Sequence, residues 1–228
     1  MRTALLLSGN FRNGAECAQS IKNNLINPYN MDVFIDYTYN PFGLSECDYN
    51  QLVNIYNPIS ITYEPTPQEF SDFLKIYEEK VPNFKKYTEV NEWSLFAMWY
   101  KLKRVNDLKS KYELEHNFKY DIVVKARFDI EILDRINLIQ RDNTIHIPIG
   151  WDHRGGYNDI FAYADSKSMD YYCSLFDYMI PYLDEGTWLH PESLLKTHLD
   201  KSDISIMRNS MKMALRGMNI HELEYRIK

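Results

Sequence analysis

The sequence is poor in cysteine, in basic charge and in long hydrophobic runs. Its three cysteines, Cys17, Cys47 and Cys173, lie far apart and form no C-x-x-C pair. We therefore expect free thiols and a cytoplasmic location. The apolar run Ala4–Leu7 near the N-terminus is too short for a signal-peptide core or a membrane span. The sequence thus predicts a protein without a membrane span.

The sequence also has no excess of basic residues over acidic ones. The 228 residues carry a formal net charge of −6, and the lysines and arginines are dispersed. A general nucleic-acid binder is excluded because neutralising phosphates requires clustered Lys and Arg. The densest basic group is expected to form the polar side of a long helix: Lys101, Lys103, Arg104, Lys109 and Lys111.

Strand and helix patterns alternate along the chain, which indicates parallel pairing with right-handed crossovers. The length suits one α/β domain. We predict a single domain, 1–228, with a nucleotide-binding half at 1–118 and a second half at 119–228. A polar, weakly packed tail is expected from 209. Predicted strands are 3–8, 31–37, 59–63, one from about 120, 144–148, 160–164 and 204–207; predicted helices are 15–26, 48–56, 67–80, 92–115, 166–180 and 191–199.

The segment Tyr120–Ile132 carries the strongest local signal. Its β-branched run Ile122–Val124 leads into Arg127, Asp129 and Glu131, charged groups at every second position. On a strand, this spacing places all three side chains on one face. Open α/β sheets bind ligands at the carboxyl ends of their strands. The alternative interpretation is an edge strand with one solvated face.

The loop after the first strand is a second candidate for ligand binding. Residues Gly9–Gly14 lie between a strand and a helix, so backbone N–H groups and the positive helix end would face an anion. Arg12 could add two hydrogen bonds to a phosphate. The loop is not a P-loop, since Ala15–Glu16 replaces the Lys and Ser/Thr, and Phe11 occupies the second glycine position of a dinucleotide fingerprint. Alternatively, the first glycine only permits a tight turn.

Seven short motifs occur one after another along the chain. They are Ser-Gly-x-x-Arg at 8–12, Asp-Val-Phe-Ile at 32–35, the helix stretch 94–100, and the stretches 120–130, 158–163, 168–172 and 190–199. Each motif is weak alone, but their order and spacing resemble small glycosyltransferases of the GT-A type. Such proteins occur in bacteria, in phages and large viruses, and in marine metagenomes. The resemblance covers nearly all of the chain to about Met207.

The resemblance implies an α/β fold with a GT-A-like, Rossmann-type mixed sheet flanked by helices. It also implies sugar transfer from a nucleotide-sugar donor to a glycan or other acceptor. In that fold the last carboxylate of an Asp-x-Asp sequence binds a divalent metal that bridges the nucleotide diphosphate. Here Asp129 takes the last position and Arg127 the first, unless Asp129 and Glu131 form the acidic pair. Asp129 and Glu131 are thus the expected ligands of Mn²⁺ or Mg²⁺, although Arg127 could do part of the metal's work. The expected donor-binding residues are Ser8, Gly9, Asn10, Arg12, Arg127 and Asp129.

Asp159 and Glu192 are the candidate catalytic residues. Asp159 follows the glycine-bearing loop 150–157, which we expect to close over the donor. It could be a general base, orient a sugar hydroxyl or only cap a strand. Glu192 lies in the first turn of a helix. The helix dipole stabilises an acid at that position, so the alternative is that Glu192 has no catalytic role. His190 and His198 are the histidines best placed to matter, with a structural role as the alternative.

Two other functions remain open. A sulfotransferase-like enzyme would use Ser8–Gly14 as its phosphosulfate loop, although the missing Lys and Ser/Thr and the acidic group at Asp129 count against it. A non-catalytic nucleotide-sugar-binding protein would need only the donor residues. It is favoured if Asp129 is exposed and pairs only with Lys or Arg.

Overall fold

The computed structural model describes residues 1–39, 47–80, 84–85 and 91–216. The strands in these residues are β1 (Thr3–Ser8), β2 (Asp32–Tyr39), β3 (Ser60–Pro65), β4 (Ile122–Ala126), β5 (Ile130–Ile132), β6 (Thr144–Pro148), β7 (Ala162–Ala164), β8 (Ser205–Asn209) and β9 (Met213–Leu215). The helices are α1 (Gly14–Ile21), α2 (Asn27–Tyr29), α3 (Tyr49–Tyr56), α4 (Gln68–Lys80), α5 (Glu92–Glu115), α6 (Ser166–Cys173), α7 (Leu175–Asp184) and α8 (Pro191–Asp200). A π-helical segment, Lys22–Ile26, joins α1 to α2, and His153–Gly155 forms a 3₁₀ turn.

Seven of the described strands form a central sheet in the order β3-β2-β1-β4-β7-β6-β8. Strands β1 to β4 are parallel, and β6 pairs in parallel with β8. Strand β7 runs antiparallel to both β4 and β6. The carboxyl ends of the other six strands therefore meet at one edge of the sheet. The predicted single-domain, Rossmann-type mixed sheet flanked by helices is confirmed.

The core lies on both faces of this sheet. In β1, Ala4 and Leu6 face the side covered by α4 to α8, and Leu5 and Leu7 face the side covered by α1 and α3. All four are fully buried. A strand that is apolar in both alternating positions is typical of a parallel strand covered on both faces.

The antiparallel direction of β7 is what makes the sheet mixed. Between β6 and β7 the chain forms only the 3₁₀ turn His153–Gly155. A parallel connection needs a crossover of a dozen or more residues that returns along the sheet, usually a helix. Here the chain turns back at the same edge instead.

Arg127, Asp129 and Glu131 do not lie on one continuous strand. Strand β4 ends at Ala126, the chain turns at Phe128–Asp129, and Glu131 lies on the separate strand β5. Arg127, Asp129 and Glu131 therefore do not share one strand face. The partner of β5 is β9. Two further boundaries differ: the predicted helix 166–180 is interrupted at Ser174, and the tail expected to pack weakly includes β9, which is buried.

The basic group on α5 is not simply a solvated face. Lys101 is 5% exposed and Lys109 is fully buried. Lys109 Nζ donates to Asp170 Oδ1 at 2.6 Å and to Glu113 Oε2 at 3.3 Å. The prediction that these two lysines lie on a polar helix side is thus wrong, because α5 packs against α6 and α7 and against β1 and β2 of the sheet.

The described helices include none with the length and apolar character that a bilayer crossing requires. Cys17, Cys47 and Cys173 are buried free thiols.

Candidate functional site

A cavity of about 380 Å³ lies at the edge where the parallel strands end. Its walls come from the loop after β1, the first turns of α5, the turn after β4, the loop before β7 and the start of α8. Ligands of open α/β sheets bind at this edge. The predicted site residues that line the cavity are Ser8, Gly9, Asn10, Arg12, Arg127, Asp159 and Glu192.

A tight turn between β1 and α1 brings Arg12 to the cavity. Gly9 and Arg12 both have positive φ, 109° and 44°. The N–H of Gly14 donates to Phe11 O at 2.7 Å, and a Cβ at Gly14 would lie 2.8 Å from the Phe11 ring. The ring of Phe11 packs on Phe128 with centroids 5.6 Å apart. This contact ties the loop to the turn after β4.

Arg12, Arg127 and Asp129 meet beside the cavity. Arg127 donates to Asp129 through a side-on fork, Nε to Oδ1 at 2.8 Å and Nη2 to Oδ2 at 2.7 Å. Arg12 Nη1 donates to the same Oδ2 at 3.1 Å. Asp129 is 2% exposed, whereas the Arg12 side chain is 51% exposed. The two expected donor-binding segments therefore come together as predicted.

The charges of this cluster stabilise one another. Burial would raise the pKa of Asp129, but the hydrogen bonds and charges of Arg127 and then Arg12 hold it below its usual value. For Arg127, burial opposes the charge, yet the hydrogen bond and charge of Asp129 raise the pKa above its usual value. Asp129 and Arg127 therefore each favour the charged form of the other.

The expected metal ligands are not brought together. Glu131 lies on β5, accepts a hydrogen bond from Arg216 Nη2 at 2.7 Å and does not line the cavity. Nowhere in residues 1–39, 47–80, 84–85 and 91–216 do three or more His, Cys, Asp or Glu side chains cluster as a metal site would need. At Asp129, a divalent ion would have to sit beside two guanidinium groups. The arrangement does not fit the metal that the resemblance implies.

Asp159 also lines the cavity and is 6% exposed. The preceding Asn158 is fully buried; its Nδ2 donates to Gly150 O at 2.9 Å, and its Oδ1 accepts from Ile160 N at 2.8 Å. Since Asn158 makes this local turn and β7 begins only at Ala162, a strand-capping role for Asp159 is not supported.

Lys125, which the sequence analysis did not single out, lies behind Asp159. It is 2% exposed, and its Nζ donates to the carbonyl of Asp159. Burial lowers the pKa of Lys125 to about 8, although the charge of Asp159 raises it. A lysine inside the apolar run of β4 was the available signal, because a charge in a buried strand requires a partner.

The pH dependence of folding should report this buried lysine. Above pH 8 the folded chain gives up a proton that the unfolded chain keeps until about pH 10. The unfolding free energy of the wild type should therefore rise relative to Lys125→Met, by up to about 3 kcal/mol over that interval. Urea unfolding of both proteins from pH 7 to pH 10 checks this. A difference in unfolding free energy between the two proteins that stays constant over this pH range would contradict the prediction.

Glu192 and His190 form a close pair at the start of α8. His190 Nδ1 lies 2.9 Å from Glu192 Oε2, and both residues line the cavity. The backbone of Glu192 also holds the loop before β7, since its carbonyl accepts from Tyr157 N at 3.1 Å. A Cβ at Gly156 would lie 2.2 Å from the Glu192 carbonyl carbon, so this close approach requires glycine.

His198, the other histidine considered, is a core residue. It is fully buried, and its Nδ1 lies 3.0 Å from the hydroxyl of Tyr182. Its ring stacks on Tyr171 with centroids 4.3 Å apart. Burial lowers the pKa of His198 to about 4. These contacts support the structural alternative.

The first turns of α5 contribute a wall that the sequence analysis missed. Asn91 caps the helix by accepting from Ser94 N at 2.8 Å. Ser94, Met98 and Lys101 line the cavity, and Lys101 Nζ lies 3.4 Å from Asn10 Oδ1. The positions 94, 98 and 101 fall on one helix face, so helical spacing was the signal that could have found Lys101.

The loop expected to close over the donor is anchored at several points. Arg208 Nη2 on β8 donates to Pro148 O and to Asp152 Oδ1, each at 2.6 Å. Asp152 Oδ1 also accepts from Asn158 N at 3.1 Å. Trp151, with a φ of 52°, lines the cavity from this loop. The loop thus forms a wall that is tied to β8.

No protein-family model matches this chain, and no curated protein matches it.

Proposed function

We propose that the chain is a glycosyltransferase that moves a sugar from a nucleotide-sugar donor to a glycan or other acceptor. The supporting observation is one cavity lined by both cationic and acidic groups. The cationic groups are Arg12, Lys101 and Arg127, and the acidic groups are Asp159 and Glu192. A nucleoside diphosphate leaving group needs cationic stabilisation, and an acceptor hydroxyl needs a proton acceptor. Both requirements are met within one cavity.

The cationic groups are suited to the diphosphate. Arg12 and Arg127 are held in place by Asp129, and the loop Gly9–Arg12 precedes the N-terminus of α1. Guanidinium groups bind phosphate oxygens with two directed hydrogen bonds, and a helix N-terminus favours negative charge. As the bond between sugar and phosphate breaks, these groups stabilise the charge that builds up on the departing diphosphate.

The acidic groups are suited to the acceptor. In this proposal Asp159 accepts the proton of the attacking hydroxyl. The carbonyl of Asp159 is held by Lys125 from behind, which fixes the position of the segment. Glu192, paired with His190, binds hydroxyl groups of the transferred or accepting sugar. This division of roles assigns each buried charge of the cavity to one substrate.

Two alternatives use the same cavity. A sulfotransferase-like enzyme is compatible with the loop Ser8–Arg12 as a cavity wall. A non-catalytic binder is favoured by the pairing of Asp129 with two arginines, but Asp129 is buried rather than exposed. Asp159 and Glu192 in the same cavity favour an enzyme.

A thermal-shift screen separates these functions. Nucleoside diphosphates and nucleotide sugars should raise the unfolding temperature, since a ligand at 100 times its Kd stabilises by about 2.7 kcal/mol. Adenosine phosphosulfate should give no shift. A shift with adenosine phosphosulfate alone would support the sulfotransferase alternative. Donor binding without any turnover toward a panel of glycans would support the non-catalytic alternative.

Arg12→Ala should weaken nucleoside diphosphate binding by about 1.5–3 kcal/mol, roughly ten- to 150-fold in Kd, because it removes a charge-assisted contact. Isothermal titration calorimetry measures this change. Arg135→Ala is the matched control, since Arg135 is exposed and packs over Tyr29 away from the cavity. Equal affinities of the wild type and Arg12→Ala would reduce Arg12 to a surface residue.

A further inference from the structure

We propose that the diphosphate of the donor is bound without a divalent metal and that Asp129 is a positioning residue that holds Arg12 and Arg127 against it. This inference rests on the proposed function and deepens it. The resemblance implies a metal ligand at Asp129. The structure instead places there a carboxylate engaged by two guanidinium groups, with distances of 2.7 to 3.1 Å.

Hydrogen bonds from the two arginines occupy most of the lone-pair sites of the Asp129 carboxylate. Its Oδ1 accepts from Arg127 Nε, and its Oδ2 accepts from both Arg127 Nη2 and Arg12 Nη1. A carboxylate offers about four lone-pair sites, and Mg²⁺ needs an oxygen at about 2.0–2.1 Å. A metal would therefore have to displace a guanidinium from a carboxylate that is 2% exposed.

The surroundings offer a metal few further oxygen ligands. Glu131 accepts a hydrogen bond from Arg216 and does not line the cavity. Asp159 lies within the electrostatic influence of Lys125 and Arg127. Divalent hard cations require several oxygen ligands in a defined shell. A cation near Asp129 would instead meet two guanidinium groups, which repel it.

The same arrangement supplies the positive charge that a metal would supply to the diphosphate. The side-on fork of Arg127 uses one N–H of Nε and one of Nη2, so the donors of this guanidinium outside the fork, two on Nη1 and one on Nη2, are the ones that could meet a ligand in the cavity that Arg127 lines. Lys101 adds a third positive charge to the same cavity. Because Asp129 fixes the guanidinium planes before the ligand arrives, less conformational entropy is lost on binding.

The first test compares nucleotide binding with and without metal. UDP, GDP, CDP and ADP are titrated by calorimetry into the wild-type protein, once with EDTA and once with MnCl₂. We expect at least one to bind in EDTA, with an affinity no weaker than in Mn²⁺, because Mn²⁺ competes with the guanidinium groups for the diphosphate. Tighter binding in Mn²⁺ would overturn the inference and leave the glycosyltransferase proposal standing. Absence of binding in both conditions would overturn both.

The second test asks whether Asp129 acts through the arginines. Nucleotide affinities are measured for Arg12→Ala, Asp129→Asn and the double variant, each checked for a folded circular dichroism spectrum. If Asp129 positions Arg12, the loss caused by Arg12→Ala becomes smaller in the Asp129→Asn background, which is a non-additive result. Fully additive effects would overturn the positioning role. Arg127→Lys keeps the charge but not the fork, and we expect its binding to be about tenfold weaker.

Discussion

Asp159→Asn is expected to lower turnover by about 10²–10⁴-fold while the Kd of the donor stays nearly unchanged. The substitution keeps the shape of the side chain and removes its ability to accept a proton. Arg12, Lys101 and Arg127, the groups that the proposed function assigns to the diphosphate, are unchanged in this variant. An interaction made mainly in the transition state affects kcat and kcat/KM equally. Initial rates and donor titrations on the same preparation give both quantities.

Asp142→Asn is the matched control, because Asp142 is an exposed residue near the start of β6. It should leave both turnover and donor affinity unchanged. A parallel loss of turnover and donor affinity in Asp159→Asn would assign Asp159 to donor binding. Full activity of Asp159→Asn would remove it from the mechanism.

Arg127→Met is expected to lower the free energy of unfolding by about 3 kcal/mol. The substitution leaves the buried carboxylate of Asp129 without its fork, and a buried charge that has lost its partner is strongly destabilising. The loss falls at the lower end of the usual range because Arg12 still contacts Asp129. Urea unfolding followed by circular dichroism measures it.

Arg12→Ala serves as the comparison for stability. Its side chain is half exposed, so the loss should lie between about 0 and 1 kcal/mol, as for other exposed ion pairs. The double variant Arg127→Met/Asp129→Leu should recover much of the stability, since apolar replacement of both members of a buried pair is often neutral. Equal losses for Arg127→Met and Arg12→Ala would show that the fork contributes little.

The sequence was sufficient to predict a structural feature where the physical signal is local or where the topology of the sheet determines the position of a residue. The helix Glu92–Glu115 was predicted with its observed bounds, because its apolar stripe is long and regular. The proximity of Arg12 to Asp129 was also predictable, since both follow parallel strands and so emerge at the same edge. The contacts in the structure agree with that expectation.

The sequence was insufficient where the signal is non-local or weak. The turn after Ala126 contains no Gly or Pro, so the sequence contains no signal that Arg127, Asp129 and Glu131 do not share one strand. The short strands β5 and β9 pair over more than eighty residues of chain, and neither is long enough to be recognised alone. Lys101 and Lys109 look like solvated residues in a helix, and only packing against other elements shows that they are buried.

Under the function proposed above, the reversed direction of β7 bears on how the protein could change its acceptor during evolution. Strand β6 ends and β7 begins at the edge that carries the cavity, so the loop between them is a hairpin-like insertion whose two ends are fixed by the sheet. Loops of this kind tolerate insertions and substitutions better than the strands that bear them. New acceptor-binding surface can therefore arise by exchange of this single segment, while the register of the sheet and the arginine-bearing wall are inherited unchanged.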